Sequence, residues 1–242
     1  MAPPRKIRAV LFDLGGTLVD YHDFGHWSEL ARRCFVEADE EVLAHAFLEV
    51  ERETDVRPSI GPAEFWRRTL GRASGREIDP PTAERFLALV RERPGFFRLY
   101  SDTRRCLQAL KSDGRRLGVV SNSTSEAHVR SILHSTGILS FFERVVSSGS
   151  EGMEKPAPEI FRLAVRRMKL EPDEAFYVGN LAFTDAQAAR DAGLHSVWLN
   201  RAGTGLGHDP PEITSLLEVP LAVKRAEAGE SSTAPSPLAS VK

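Results

Sequence analysis

The sequence predicts an α/β fold in which a parallel sheet is covered by helices on both faces. Short apolar runs rich in Val, Phe, Tyr or Ile recur along the 242 residues and are typical of strands. Segments with helical spacing of apolar residues lie between these runs, and most of them end at glycine. This alternation favours parallel strands, and the active site of such a sheet lies at the carboxyl ends of the strands.

The individual elements follow from this pattern. The predicted strands span 7–12, 116–121, 143–148, 175–179 and 195–200. Helical segments follow at 102–114, 125–137, 157–170 and 183–193, and Gly114, Gly137 and Gly193 are suitable residues just beyond a helix end. Each predicted helix connects two strands, as a crossover between parallel strands requires.

The segment from Tyr21 to Pro94 breaks the alternation, because it contains helical stretches and no predicted strand. Gly61-Pro62 and Pro80-Pro81 separate these stretches. We therefore expect a core domain at 1–20 and 95–222, a helical domain at 21–94, and a disordered tail at 223–242 that is small, polar and contains proline. The helical domain is expected to have its own core, formed by Trp27, Leu30, Phe35, Phe47, Leu48, Phe65, Trp66, Phe86 and Leu89.

Charge, apolar runs and cysteine content limit the partners and the compartment that we expect for this protein. The net charge of −2 and a pI near 6.4 predict no general affinity for nucleic acid or for an anionic membrane. No apolar run is long enough to span a bilayer, and the N-terminus lacks the apolar stretch of a signal peptide. Cys34 and Cys106 lack metal-ligand spacing and are typical of buried thiols in a reducing compartment. We therefore expect a cytoplasmic protein.

Four short motifs lie where predicted strands end, and together they predict an active site. Asp13 follows the first strand, Ser121-Asn122 ends the second, Lys155 comes after the third, and Gly179-Asn180 with Asp185 ends the fourth. The carboxyl ends of parallel strands lie on one rim of the sheet, so these side chains should converge.

The residue types at this rim suit attack on an anionic substrate. Asp13 can act as a nucleophile and form a covalent intermediate. Gly15 and Gly16 allow backbone N–H groups to approach a bound anion. Ser121 can donate to a transferring oxygen, and Lys155 supplies positive charge. The acidic cluster at 180–185 predicts a Mg²⁺ site with oxygen ligands.

The segments "FDLGGTLVD", "VVSN", "EKPAPEIF" and "VGN" with a later Asp resemble motifs I to IV of the haloacid dehalogenase-like (HAD) hydrolases. This resemblance implies a Rossmann-like core with a mobile, C1-type helical cap inserted after motif I. It implies catalytic roles for Asp13, Thr17 and Lys155, and binding of the phosphoryl group by Gly16, Ser121, Asn122 and Lys155. It implies a Mg²⁺ site made by Asp13, Gly15, Asn180 and Asp185.

The sequence departs from the phosphatase pattern of that family at two positions. Gly15 stands where the phosphatases carry a second Asp, which acts as general acid and base, and Asn180 stands where they carry a direct Mg²⁺ ligand. The loss at residue 15 removes a proton-transfer group typically worth about 10²–10⁴-fold in rate. The loss at residue 180 removes one negative charge, which weakens a magnesium site.

These departures leave three functions open. The main prediction is a phosphatase acting on a small phosphorylated metabolite through an aspartyl-phosphate on Asp13. One alternative is a degenerate member that binds a phosphorylated ligand or a partner without turnover. The other is a metal-free dehalogenase or a phosphonatase-like hydrolase, whose family members carry Tyr or Ala at position 15. His22, Asp23 and His26 follow motif I closely and are candidates to replace the missing acid.

Overall fold

The computed structural model describes residues 6–21, 24–55, 60–92, 97–123, 125–203 and 210–229. The chain divides into two compact units. Residues Met1–Leu18 and Leu99–Lys242 form one, called here the core unit, and Val19–Arg98 form the other, called here the helical unit. The sequence placed the two boundaries after residues 20 and 94.

The core unit is built on a parallel sheet of six strands. In chain order its strands are β1 (Ala9–Phe12), β4 (Arg116–Ser121), β5 (Arg144–Ser147), β6 (Ala175–Gly179), β7 (His195–Leu199) and β8 (Glu212–Ile213). They are arranged β5-β4-β1-β6-β7-β8, and every neighbouring pair is parallel. The two central pairings align Phe12 with Val119 of β4 and with Val178 of β6. This register places the ends of β1, β4 and β6 side by side.

Helices cover both faces of this sheet. All four residues of β1 are buried, although successive side chains point to opposite faces. Ala9 and Leu11 pack in one cluster with apolar residues of the helices that follow β5 and β6. The helices of this unit are α5 (Thr103–Ser112), α6 (Glu126–Ser135), α7 (Ser148–Glu151), α8 (Pro158–Arg167), α9 (Ala188–Asp191) and α10 (Val219–Glu227), with a π-helical turn at Ala182–Gln187 leading into α9. The predicted α/β fold with a parallel sheet is confirmed.

The helical unit contains α1 (Phe24–Arg33), α2 (Glu40–Asp55), α3 (Pro62–Ser74) and α4 (Pro80–Glu92). Its core is aromatic: the rings of Trp27 and Trp66 meet edge to face at 4.9 Å, and Phe86 lies 4.9 Å from Trp66. Pro62 begins α3, where its missing N–H costs nothing, and Gly75 ends that helix with φ +67°. The predicted separate core is therefore present, but not with all of its predicted members.

Phe35 and Leu48 are the exceptions, since they are 79% and 45% exposed. Phe35 follows α1 with φ +60°, a left-handed backbone that turns its side chain away from the helix face. Leu48 lies on α2 between the buried Phe47 and the inward-facing Val50, so its position faces outward.

Three short strands were not predicted, namely β2 (Val19–Tyr21), β3 (Phe97–Leu99) and β8. β2 and β3 pair with each other in a sheet of their own. Segments of two or three residues are too short to show an alternating pattern, so only pairing in the folded chain defines them.

The predicted tail begins too early. Residues 223–227 belong to α10, where Val223 is buried and Glu227 pairs with Arg115, with Nη1 to Oε1 at 2.7 Å. Residues 230–242 lie outside the described part of the chain. Cys34 and Cys106 are both buried free thiols, as predicted. Among the described helices, none has the length and apolar character needed to cross a membrane.

Candidate active site

The candidate active site lies at the carboxyl ends of β1, β4 and β6. Asp13 follows β1, and its backbone N–H donates to the carbonyl of Val178 at 2.9 Å, which continues the strand pairing by one residue. Ser121 is the last residue of β4, and Asn180 follows the last residue of β6. The sequence predicted this convergence from motifs at the ends of strands in a parallel sheet. The motifs meet because the three strands are parallel neighbours.

Lys155 is the centre of the site and is almost completely buried. Its ammonium nitrogen donates to Oδ1 of Asp13 at 2.7 Å and to Oδ1 of Asp185 at 2.5 Å. It also donates to the hydroxyl of Tyr177 at 3.1 Å. A buried ammonium has three N–H groups, and each one has an acceptor here, so the charge is fully compensated by hydrogen bonds.

Asn122 holds Lys155 in place. Its side-chain oxygen accepts from the backbone N–H of Lys155 at 2.9 Å, and its side-chain nitrogen donates to the carbonyl of Lys155 at 2.9 Å. The resemblance to HAD hydrolases predicts that Asn122 binds the phosphoryl group. In the structure both ends of its amide bind the backbone of Lys155, which gives Asn122 a positioning role.

Burial and charge set the protonation of this cluster. Burial raises the pKa of Asp13 to about 6, although the nearby Lys155 ammonium acts in the opposite direction. Burial alone would lower the pKa of Lys155, but the carboxylates of Asp13 and Asp185 outweigh it and raise that pKa. At neutral pH the ammonium therefore stays charged, and Asp13 is available as a carboxylate nucleophile.

Tyr177 is a site residue that sequence reasoning missed. Its hydroxyl donates to Oδ1 of Asp185 at 3.1 Å or to the carbonyl of Val120 at 3.2 Å, and it accepts from Lys155. Burial and the adjacent Asp185 carboxylate raise the pKa of this phenol well above 10, so it stays neutral. The signal was a tyrosine inside the apolar run "AFYVG", because a buried phenol needs a hydrogen-bond partner.

The side-chain amide of Asn180 points at the loop that follows β1. One end of this amide lies 3.1 Å from the carbonyl oxygen of Gly15, 3.3 Å from Oδ2 of Asp13 and 3.3 Å from Oγ1 of Thr17. A carbonyl and a carboxylate only accept hydrogen bonds, so the amide nitrogen is the end that faces them. Asn180 therefore donates into a cradle of three oxygen atoms.

Gly16 makes room for this amide. Its φ of +73° lies in the left-handed region, and a Cβ atom at this position would collide with the side chain of Asn180. Glycine is required here for both reasons. The predicted role of Gly16 beside a bound anion remains a prediction.

The residues predicted to bind metal do not fit Mg²⁺ in this arrangement. Asp185 is fully buried, its Oδ1 accepts from Lys155 and Tyr177, and its Oδ2 accepts from the backbone N–H of Leu181 at 3.1 Å. The amide nitrogen of Asn180, a donor, faces Gly15 and Asp13. Magnesium needs several oxygen ligands in an octahedron. In the described parts of the chain, no group of three or more His, Cys, Asp or Glu side chains is placed to hold a metal ion.

Arg201 and Asp102 support the motif I loop from the side, and no pattern in the sequence predicted them. Nη2 of Arg201 donates to the carbonyl of Thr17 at 2.8 Å, and the same guanidinium pairs with both oxygens of Asp102. The Arg201 guanidinium also stacks 3.7 Å from the centre of the Tyr100 ring. Thr17 is buried, so this pairing fixes the backbone of the loop that carries Asp13 and Gly16.

The candidates to replace the missing acid lie in the helical unit or outside the described residues. His22 and Asp23 lie outside the described residues. His26 belongs to α1 of the helical unit, where it is half-buried. Their role stays a prediction.

Comparison with known proteins agrees with these features. A family model described as haloacid dehalogenase-like hydrolase matches residues 7–193. A glyceraldehyde 3-phosphate phosphatase of Pyrococcus furiosus is 29% identical over 203 residues, which are 80% of this chain and 81% of that protein. The (S)-2-haloacid dehalogenase 2 of Pseudomonas sp. CBS-3 is 27% identical over 235 residues, or 88% of this chain and 94% of that protein.

The crystal structure of a HAD phosphatase from Thermococcus onnurineus covers 93% of this chain and 99% of its own, with 26% identity and a TM-score of 0.60. The family match includes all four motifs at the strand ends. The chain belongs to the haloacid dehalogenase-like hydrolases.

Proposed function

We propose that this hydrolase is a phosphatase that acts on a small phosphorylated metabolite and uses Asp13 as its nucleophile. The observation that carries the proposal is the hydrogen bond of 2.7 Å between Lys155 Nζ and Asp13 Oδ1, inside a buried cluster. An ammonium at this position orients the carboxylate and offsets the negative charge of an approaching phosphoryl group. The relation to a named phosphatase over four-fifths of the chain supports this substrate class.

The chemistry has two steps. A carboxylate oxygen of Asp13 attacks phosphorus, a phosphorus–oxygen bond forms, and the bond to the leaving oxygen breaks with its electron pair. Water then attacks the aspartyl-phosphate and regenerates Asp13 and inorganic phosphate, with release of one proton. In this proposal Ser121 donates to an oxygen of the transferring group, and Thr17 supports the loop that carries Asp13.

Gly15 limits which leaving groups can depart. Glycine has no side chain to protonate the leaving oxygen, so the first step depends on a leaving group that is stable as an anion. Acyl and aryl phosphates have such leaving groups, and alkyl phosphates do not. We therefore propose acyl or aryl phosphates as the preferred substrates. The Mg²⁺ ion expected from the family has no step in this scheme, because the residues at the site do not fit it.

Hydrolysis of a carbon–halogen bond is the second candidate. A halide leaves without a proton, so this reaction also tolerates Gly15, and the relation to a named 2-haloacid dehalogenase covers most of both chains. In that case Asp13 would attack carbon, expel halide and form an ester that water hydrolyses.

Product analysis separates these functions. Wild type, Asp13→Asn and Lys155→Met are incubated with acetyl phosphate, p-nitrophenyl phosphate and 2-chloropropionate, each with and without Mg²⁺. Phosphate release that both variants lose supports the phosphatase. Chloride release without phosphate release supports the second candidate. No product under any condition contradicts both and leaves a protein that binds without turnover.

A further inference from the structure

We propose that the side-chain amide of Asn180 takes the place of a divalent cation at this site, so that the active site is complete without metal. The observation is the cradle already described, in which Gly15 O, Asp13 Oδ2 and Thr17 Oγ1 surround one end of that amide at 3.1–3.3 Å. A cation at this edge of the sheet would need the same carboxylate and carbonyl oxygens. The amide nitrogen already uses both.

The backbone of Asn180 is anchored, and its side chain fits closely against the loop that follows β1. The backbone carbonyl of Asn180 accepts from Nε1 of Trp198 at 3.0 Å, which anchors the residue to the end of β7. Gly16 leaves open the space that the amide fills. A Cβ atom on the preceding residue, Gly179, would collide with Asp185, so only glycine fits there. The anchored backbone and the open space over Gly16 direct the amide at Asp13 and Gly15.

The nucleophile is held from two sides by this arrangement. Lys155 donates to Oδ1 of Asp13 at 2.7 Å, and Asn180 donates to Oδ2 at 3.3 Å. A bound cation orients a carboxylate by binding one of its oxygens. Here two hydrogen-bond donors from the chain do the same, and one of them carries the positive charge.

The charges of the site agree with a cation-free state. Asp13 and Asp185 contribute two negative charges and Lys155 contributes one positive charge, which leaves a net charge of −1 in the described cluster. Gly15 and Asn180 each lack a carboxylate that the phosphatase motif would supply. The departure at residue 180 removes one negative charge that a cation would balance. The departure at residue 15 removes the proton-transfer group.

Metal binding tests this proposal without any need for turnover. Wild type, Asp13→Asn, Asn180→Asp and the double variant Asp13→Asn/Asn180→Asp are stripped with EDTA and titrated with Mg²⁺ by calorimetry, and Tm is recorded with EDTA and with Mg²⁺. Wild type should show no saturable binding and no change in Tm. In Asn180→Asp the donor becomes a carboxylate beside Asp13, so Tm should fall without metal and recover with it. At about 100 times Kd, the recovery should be roughly 5–10 °C for a chain of this size.

The double variant is the matched control, because it keeps the new carboxylate but loses that of Asp13, and it should lose the response to Mg²⁺. Saturable Mg²⁺ binding to wild type that Asp13→Asn abolishes would overturn the proposal. So would an Asn180→Asp protein that folds, as judged by circular dichroism, but binds no Mg²⁺.

A second measurement uses wild type alone. The side-chain amide protons of Asn180 should exchange slowly with solvent in the ¹H–¹⁵N spectrum, and added Mg²⁺ should not move their signals. Rapid exchange of these protons would contradict the cradle. Because both readouts are independent of catalysis, a failed phosphatase assay leaves this test unaffected.

Discussion

The ammonium of Lys155 lies 2.5 Å from Oδ1 of Asp185, and both side chains are buried beneath the end of the sheet. Asp185 is fully buried and Lys155 is nearly so. A buried pair of this kind is costly to break, since the remaining charge loses its partner without gaining water. The pair therefore connects the stability of the core unit to the geometry of Asp13.

Replacement of Asp185 by Asn should destabilise the protein by about 3–5 kcal/mol, because it leaves the buried Lys155 with one carboxylate partner instead of two. Urea unfolding measures this loss. Asp191→Asn is the matched control, since Asp191 is exposed on α9 and its loss should cost at most about 0.5 kcal/mol. Equal losses in the two variants would contradict the buried pair.

Gly16→Ala should reduce both stability and activity. The left-handed backbone alone costs an alanine roughly 1–2 kcal/mol, and the collision with Asn180 adds to this loss. Gly152→Ala provides the comparison, because Gly152 has φ +67° and a Cβ there would meet no atom within 4 Å. It should show the backbone cost alone, with unchanged activity. If Gly152→Ala lowers the free energy of unfolding as much as Gly16→Ala does, the close approach of Asn180 does not contribute to the loss.

The ionisation of Asp102 should make the free energy of unfolding depend on pH. Burial acts to raise its pKa, but hydrogen bonds from Arg201, Leu216 N and Ser215 prevail and lower it below the usual value of 3.8. A carboxyl with a lowered folded-state pKa stabilises the protein above its unfolded-state pKa, and this contribution is lost as pH falls through the folded-state pKa. The free energy of unfolding of wild type should therefore exceed that of Asp102→Asn near neutral pH.

The difference between these two proteins should shrink as pH falls below 3.8, the usual value of an Asp, and through the lowered pKa of folded Asp102. Urea unfolding across this range measures it. Asp191→Asn again serves as the control, and its difference from wild type should stay small throughout. A constant difference between wild type and Asp102→Asn would show that the carboxylate charge is not responsible.

The rate of phosphate release should fall as pH drops through about 6, since burial raises the pKa of Asp13 to that value and only the carboxylate form attacks phosphorus. The sign follows from the nucleophile: protonation below this pH removes the attacking electron pair. Steady-state rates for two substrates that differ in the pKa of their own phosphate measure the effect. A midpoint that moves with the substrate would assign the titration to the ligand instead of Asp13.

Much of the fold could be predicted because its signals are local. β4 and β6 match their predicted bounds, since their apolar runs are continuous and end at polar or glycine residues. β8 was missed because two residues carry no pattern, and it exists only through pairing with β7. Phe35 was assigned to the core on its apolar character, but its positive φ, a consequence of how α1 ends, exposes it.

The sequence by itself determined which chemical groups reach the rim of the sheet, because the end of each apolar run is a local signal. These groups belong to Asp13, Ser121, Lys155, Asn180 and Asp185. Tertiary structure alone decided what those groups contact. The amide of Asn180 faces oxygen atoms of residues more than 160 positions away in the chain, and Tyr177 and Arg201 join the site through hydrogen bonds. Position along the chain determines at which strand end a side chain lies. Its hydrogen-bond partners depend on distances across the folded sheet.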